Sequence, residues 1–199
     1  LDKKKYHLKI LDSKSQNYLV TIIIGKKVKN TWQKFIKNNW IKYCKNNKLG
    51  LIVITKDLVD KKNIYWKKAT WQKMLIGKYL KDNFSKKIAN ICYLDSDIII
   101  NPFAPNIFDF HQIKKISIVS MVKNLPYNLL DTRKKISYYR NKFYSKKYPL
   151  DSSIFMNYRK IYKYHNLMPQ KDFFCAGLFI FNLNNFAEDM ANWFFKYKK

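Results

Sequence analysis

The stretch Ile91–Phe103, ICYLDSDIIINPF, joins an apolar run to two aspartates separated by one serine, and a second apolar run follows them. An apolar run bounded by polar residues is typical of a buried strand, so NICYLD is predicted to be a strand ending at Asp95. The whole chain has 13 acidic residues among 199. Because acidic residues are scarce, the placement of two aspartates at the end of one apolar strand indicates a specific role for the pair.

Two similar apolar runs precede this strand. YLVTIII, Tyr18–Ile24, is stopped by Gly25, and LGLIVIT occupies Leu49–Thr55. Apolar residues recur at helical spacing from Thr31 to Cys44, and a second helix is predicted from Trp66 to Leu80. The alternation of strands and helices, with nearly continuous apolar strands, predicts an α/β fold: a Rossmann-like, mostly parallel sheet flanked by helices on both faces.

The remainder of the chain extends this pattern. ISIVSM at 116–121 and FFCAGLFIFNL at 173–183 are predicted strands, and a closing helix is expected from Phe186 to Tyr197. Residues 128–165 favour one or two helices, and residues 1–16 favour an irregular lead or a short edge element. Because the chain stops inside its closing helix, we expect residues 1–199 to be one domain and a fragment, incomplete at its C-terminus.

The charge of the chain is lopsided. Lysine and arginine number 40, and the formal net charge is +27. Such an excess favours negatively charged partners, namely nucleic acid, an anionic membrane surface or phosphate-bearing substrates. The lysines are spread through nearly every segment, however, which is also how a compositional bias of the whole genome would look. Both explanations stay open on the sequence.

Three cysteines, Cys44, Cys92 and Cys175, lie far apart without a CxxC pair. This spacing encodes neither a zinc knuckle nor a disulfide framework, and reduced thiols favour a cytoplasmic location. No apolar run reaches the roughly 18 residues of a membrane span. Association with a membrane is therefore expected to be peripheral.

The two aspartates admit two interpretations. At the carboxyl end of a parallel strand, where such sheets bind ligands, Asp95 and Asp97 can share Mn²⁺ or Mg²⁺, which prefer oxygen ligands. Alternatively, Asp95 bonds the local backbone of a strand-end turn and Asp97 faces water. The bare Asp-x-Asp pattern does not decide between them.

Three segments together resemble GT-A type nucleotide-sugar glycosyltransferases. YLDSDIIINPF resembles their metal-binding Asp-x-Asp segment. TWQKMLIGKYL, at 70–80, resembles the helix that carries a basic residue toward the donor pocket, and FFCAGLFIFNL resembles a strand with small residues and glycine that ends in Asn-Leu. The nearest patterns are glycosyltransferase family 8 and the galactosyl and mannosyl transferases with a Trp-x-Lys helix. The resemblance spans 18–193, but Cys175 stands where the family often has Asn, and no later metal-binding segment is found.

The resemblance implies a metal-dependent hexosyltransferase of glycan biosynthesis. Its donor would be a nucleotide sugar, preferably a UDP sugar, and its acceptor a glycan, a lipid-linked molecule or a protein. Mn²⁺ or Mg²⁺ would be the cofactor. Retention of anomeric configuration is implied by the nearest families, and no carboxylate can be singled out as a catalytic base.

The resemblance also implies roles for residues near the aspartates. Asp97 would bind the metal directly, Asp95 would share the ion or hold the ribose, and Ser96 would lie close to the ribose. Lys73 would pair with an aspartate or approach the donor; the alternative is one more solvated lysine. Ile24 and Gly25 would receive the nucleotide base, or they form a simple strand-end turn.

Three small residues of the late strand, Cys175, Ala176 and Gly177, are implied to leave room for the donor sugar. Tight packing of sheet on helix is the alternative explanation. The aromatic and lysine-rich stretch from Tyr138 to Tyr164 would bind a glycan acceptor, lie against anionic lipid, or form a cover over the site. The rival function is a basic nucleic-acid-binding module without catalysis. If the chain is a glycosyltransferase instead, nucleic acid is not expected as a partner.

Overall fold

A computed structural model describes residues 7–11, 14–84, 88–120, 123–124, 158–164, 166–170 and 174–196, with positions 131, 134, 138, 142 and 172. Two compact units divide the chain. The first comprises residues 1–117 and 177–199, and the second comprises residues 118–176. The expectation of a single domain stays a prediction.

The fold is α/β, as predicted. Its strands are β1 His7–Leu11, β2 Asn17–Ile22, β3 Gly50–Ile54, β4 Asn90–Leu94, β5 Ser117–Ser120 and β6 Phe174–Asn182. They form one sheet in the order β1-β3-β2-β4-β6-β5. The expected lead at the start of the chain is thus a short edge strand.

The sheet is mixed rather than mostly parallel. Strand β2 runs parallel to both β3 and β4, as the predicted strand–helix–strand units require. Strand β1 pairs antiparallel with β3, and β6 pairs antiparallel with β4, with Ile91 opposite Phe181 and Tyr93 opposite Phe179. The parallel centre follows from the crossover helices, whereas the direction of the outer strands depends on pairings between distant segments.

The helices lie between and after the strands. They are α1 Lys26–Thr31, a π-helical segment Trp32–Ile36, α2 Lys37–Asn46, α3 Ala69–Gln72, a 3₁₀ segment Lys73–Leu75, α4 Ile76–Asn83, a 3₁₀ turn Ile107–Phe110, α5 Tyr158–Tyr164 and α6 Leu183–Lys196. The second predicted helix starts at Ala69 instead of Trp66. Asn63 explains this difference, because its side chain accepts from the Tyr65 N–H and its carbonyl from the Trp66 N–H.

The π-helical segment has a sequence reason. Trp32, Ile36, Trp40 and Cys44 are buried and stand four residues apart. In an α-helix with 3.6 residues per turn such positions drift by about 40° per step. One wider π turn offsets the drift and keeps all four side chains on the sheet.

Helices cover both faces of the sheet in the first unit. On one face, the residues of α2 pack with Leu19, Val53, Cys92 and Ile180 in one buried cluster. On the other face, Gly77 of α4 lies against the sheet so closely that an added Cβ would come 2.8 Å from the ring of Phe181. Helices on both faces were predicted, and the structure confirms them.

The second unit is described only in part. Within it the Ser120 hydroxyl lies 2.8 and 2.6 Å from the two carboxylate oxygens of Asp172, whose backbone carbonyl accepts from the Tyr162 hydroxyl. Asp131, Lys134, Tyr138 and Lys142 are helical, as expected for this region. Most of the stretch from Tyr138 to Tyr164 lies outside the described residues, and so does Met121 of the predicted strand.

Candidate functional site

The candidate site lies at the edge where the parallel strands β2, β3 and β4 end, since the carboxyl ends of parallel strands share one edge. Asp95 directly follows β4, and Ile24 and Gly25 follow β2. Gly25 precedes α1 with a φ of +98°, a conformation that favours glycine. Apart from its two chain neighbours, no described residue has an atom within 4 Å of the position of an added Cβ. The turn after β2 is thus both open and dependent on glycine. Ile24 is half-buried.

Asp95 is held by two donors. The Tyr93 hydroxyl donates to Oδ1 of Asp95 at 2.8 Å, and the Lys73 ammonium lies 3.5 Å from the same oxygen. The Lys73 nitrogen also lies 5.0 Å from the centre of the Tyr93 ring. Because the Lys73 side chain is only 13% exposed, Lys73 differs from the solvated lysines that dominate the surface.

The turn that follows Asp95 is fixed through its backbone. The Asp95 N–H donates to the carbonyl of Gly177 at 2.8 Å, and the Ile98 N–H donates to the Asp95 carbonyl at 3.2 Å. The buried Thr21 hydroxyl donates to the carbonyl of Leu94 at 2.7 Å. Ser96 and Asp97 occupy the middle of this turn, where Ser96 is half-buried and Asp97 is exposed.

The charges of both aspartates disfavour ionisation of the Tyr93 hydroxyl. Burial raises the pKa of Tyr93, the charge of Asp95 and its hydrogen bond raise it further, and the charge of Asp97 adds to the effect. Asp97 makes no hydrogen bond or ion pair with another residue in the described part of the chain. Asp95 is therefore hydrogen-bonded to Tyr93, whereas Asp97 affects this hydroxyl only through its charge.

These residues fit a hard cation with open coordination positions. The Asp97 carboxylate and Oδ2 of Asp95 carry no hydrogen bond from any described residue, so both are available as oxygen ligands. Among the residues that the structure describes, no group of three or more His, Cys, Asp or Glu side chains is gathered for a metal. A cation held by two aspartates alone would leave its other positions to water and substrate oxygens.

The three small residues of β6 fall in different units. Gly177, half-buried, belongs to the first unit and contacts Asp95 through its carbonyl. Cys175 is half-buried and Ala176 is exposed, and both belong to the second unit. The roles implied for Cys175 and Ala176 stay predictions.

Helix α2 contributes side chains that bond the backbone after the aspartates. The sequence predicted only that these residues belong to an amphipathic helix. Asn39 binds Ile100 twice: its side chain donates to the Ile100 carbonyl at 2.9 Å and accepts from the Ile100 N–H at 2.8 Å. The Trp40 indole N–H donates to the Ile98 carbonyl at 2.8 Å. These bonds hold the backbone that leaves the aspartates.

Tyr43 continues the same anchoring one turn further along α2. Its hydroxyl donates to the Pro105 carbonyl at 2.7 Å and accepts from the Ile107 N–H at 2.9 Å. Segment 98–107 thus lies along α2 and is bonded to it at four backbone positions. Helical periodicity identified Trp40 and Tyr43 as buried, but it carries no signal for their polar atoms.

Gln72 organises the loop that precedes Lys73. Its side chain is fully buried; it accepts from the Leu58 N–H at 2.6 Å and donates to Asp57 at 2.6 Å and to the Lys67 carbonyl at 2.7 Å. A buried, fully bonded amide fixes the start of the helix and hence the position of Lys73. No sequence pattern distinguished this glutamine from its polar neighbours.

His111 directly follows the 3₁₀ turn Ile107–Phe110 in the stretch after the aspartates. Its Nδ1 lies 3.1 Å from the Ser117 hydroxyl, and its Nε2 is buried without a hydrogen-bond partner among the described residues. Burial lowers the pKa of His111. Its surroundings are those of a structural residue.

Comparison of the chain with protein families, with curated proteins and with solved structures finds no match. Among the described residues, none of the helices has the length and apolar character required to cross a membrane.

Proposed function

We propose that this protein is a metal-dependent glycosyltransferase that uses a nucleotide-sugar donor, with a UDP sugar preferred. One observation carries the proposal: Asp95, hydrogen-bonded to the Tyr93 hydroxyl and paired with Lys73, directly follows a parallel strand at its carboxyl end, and Asp97 lies exposed two residues later. A carboxylate pair and a partly buried cation at this edge suit a diphosphate bound through a divalent ion. The resemblance of the three segments supports the same class.

Each residue would have a separate task. Asp97, exposed and without a hydrogen-bonding neighbour in the described chain, would bind Mn²⁺ or Mg²⁺, and Asp95 would contribute Oδ2 or hold the ribose. When bound, the metal supplies charge neutralisation for the departing nucleoside diphosphate. Lys73 would place a positive charge beside the phosphates.

Backbone and small groups would complete the donor site. The open turn at Ile24 and Gly25 permits close approach of the base to the backbone. Ser96 would donate to the ribose, and Gly177 would keep the space beside Asp95 free of a side chain. Retention of anomeric configuration is part of the proposal through the resemblance alone, and the acceptor is a glycan, a lipid-linked molecule or a protein.

Calorimetric titration tests the proposal with a panel of nucleotide sugars, with and without Mn²⁺. We expect one donor to bind only with the metal, and Asp97→Asn to abolish that binding while the fold is retained. Asp189→Asn, which removes an exposed charge from α6, is the matched control and should bind like the unaltered protein. Absence of metal-dependent binding across the panel would overturn the proposal. Tight, salt-sensitive binding of nucleic acid that survives Asp97→Asn would favour the rival module.

A further inference from the structure

The helical run 26–46 carries a strong excess of positive charge. It contains no acidic residue and seven lysines, Lys26, Lys27, Lys29, Lys34, Lys37, Lys42 and Lys45. All of α1, Lys26–Thr31, is exposed, and none of its side chains is buried. Within the described part of the chain none of these seven lysines forms an ion pair, so the run presents positive charge to solvent.

Large apolar side chains are exposed on the same run and on the segment bonded to it. Val28 is 40% exposed and Phe35 is 60% exposed, while Ile99 and Phe103 in segment 98–104 reach 67% and 93%. Single exposed apolar residues are common, but several on neighbouring elements indicate an interaction surface. We call these four side chains with the lysines of the run the basic apolar surface.

Hydrogen bonds keep the parts of this surface together. The Asn39 side chain is hydrogen-bonded to both the N–H and the carbonyl of Ile100. Phe35 stands four residues before Asn39, on the same side of the helical run. Asn101 closes a tight turn by accepting from the Phe103 N–H at 2.9 Å through its side chain and from the Ala104 N–H at 2.9 Å through its carbonyl. Phe103 is thus held at the tip of a fixed turn, facing water.

The lysines on the helices that cover the other face of the sheet are arranged differently. Lys78 lies 3.4 Å from Asp82 and 3.3 Å from Glu188, and Lys81 lies 3.8 Å from Glu188. Their charges are partly compensated by neighbouring carboxylates. The helices on this second face of the sheet therefore offer less positive charge to a negatively charged partner than the run 26–46 does.

We propose that the basic apolar surface docks on an anionic lipid bilayer. Lysines near such a bilayer are attracted to its negative headgroups, and exposed Phe and Ile side chains gain free energy by entering the boundary between headgroups and acyl chains. Aliphatic side chains such as Val28 and Ile99 cannot stack on nucleic-acid bases, so their exposure favours lipid over a single strand. Docking of this kind does not require glycosyl transfer, so the vesicle experiment and the nucleotide-sugar titration can fail independently.

Co-sedimentation of the full chain with phosphatidylcholine vesicles, with and without phosphatidylglycerol, tests the proposal. We expect binding to the anionic vesicles only. The triple variant Lys26→Gln, Lys27→Gln, Lys29→Gln should bind roughly a hundredfold more weakly, since each lysine near the surface contributes about a fivefold gain. Phe103→Ser should weaken binding about tenfold through the lost apolar contact.

Matched controls separate this surface from net charge and from hydrophobicity in general. Lys56→Gln, Lys61→Gln, Lys62→Gln removes the same charge from exposed positions elsewhere, and Trp193→Ser removes a partly exposed aromatic side chain from α6. Both should retain most of the binding, with the circular dichroism of every variant unchanged. Equal losses in the test and control variants would overturn the proposal. So would binding to both kinds of vesicle alike, or binding to a single-stranded oligonucleotide that depends on the same lysines and exceeds the binding to lipid.

Discussion

The buried residue Tyr93 orients the half-buried carboxylate of Asp95 through one hydrogen bond. Its side chain is 3% exposed, and its ring stacks on Phe179 with centroids 5.1 Å apart, so the hydroxyl has little freedom to turn from Asp95. The Lys73 nitrogen above the ring adds a second restraint. Asp95 thus has a fixed orientation that its neighbour Asp97 lacks.

We predict that Tyr93→Phe, which keeps the ring stack and removes the hydrogen bond, lowers the free energy of unfolding by about 1 kcal/mol. Urea denaturation measures the change. Tyr65→Phe, at a ring that contacts Phe195 edge to face, should stay within about 0.5 kcal/mol of the unaltered protein. If the two variants are equally stable, the hydroxyl of Tyr93 contributes nothing measurable to the site.

His111 predicts a pH dependence of stability. Burial lowers its pKa below the ordinary value of 6.5, so the folded protein binds fewer protons at this residue than the unfolded chain does. Stability from the neutral ring is therefore fully present above 6.5 and declines as the pH falls from 6.5 toward the lowered pKa. Urea denaturation of the protein and of His111→Gln across this range should show a shallower loss in the variant. Parallel curves would contradict the prediction.

At the scale of the elements, three asparagines join the central strands at the end opposite the candidate site. Asn90 donates to Asn17 and accepts from Asn182, each at 2.9 Å, so β2, β4 and β6 are bonded through side chains as well as backbone. The Asn182 side chain also accepts from the N–H groups of Asn184 and Asn185 at the start of α6. The Asn-Leu at the end of FFCAGLFIFNL thus fixes strand register and begins a helix.

We predict that Asn182→Ala lowers the free energy of unfolding by about 2 kcal/mol, because it removes both the helix cap and the bond to Asn90. Asn182→Asp retains the capping oxygen and loses the donor, so its loss should be smaller. Asn184→Ala is the control at an exposed neighbouring position. Urea denaturation gives all three values, and equal losses for Ala and Asp would contradict a capping role.

At the scale of the whole molecule, the net charge is +27 and the lysines are spread evenly along the sequence. In the folded chain, however, they differ in whether a carboxylate lies beside them. Lysines of α4 have carboxylate partners, Lys73 is held at the candidate site, and those of the run 26–46 have no acidic residue in their own segment. The number of lysines is compatible with a compositional bias and with a dedicated binding surface alike. The folded chain determines which of them are available to an anionic surface.

The sequence by itself determined the parallel centre of the sheet, the helices on its two faces and the place of Asp95 and Asp97 at a strand end. Those features depend on local apolar runs and helical periodicity, which the order of residues records directly. It did not determine the antiparallel direction of β6, the hydroxyl of Tyr93 on Asp95, the buried amide of Gln72 or the bonds from Asn39 and Tyr43 to segment 98–107. These depend on polar atoms brought together from positions far apart in the chain, and one hydrogen bond leaves no periodic pattern in a sequence. Only the tertiary structure decided them, because pairing of buried polar groups is satisfied in space rather than along the chain.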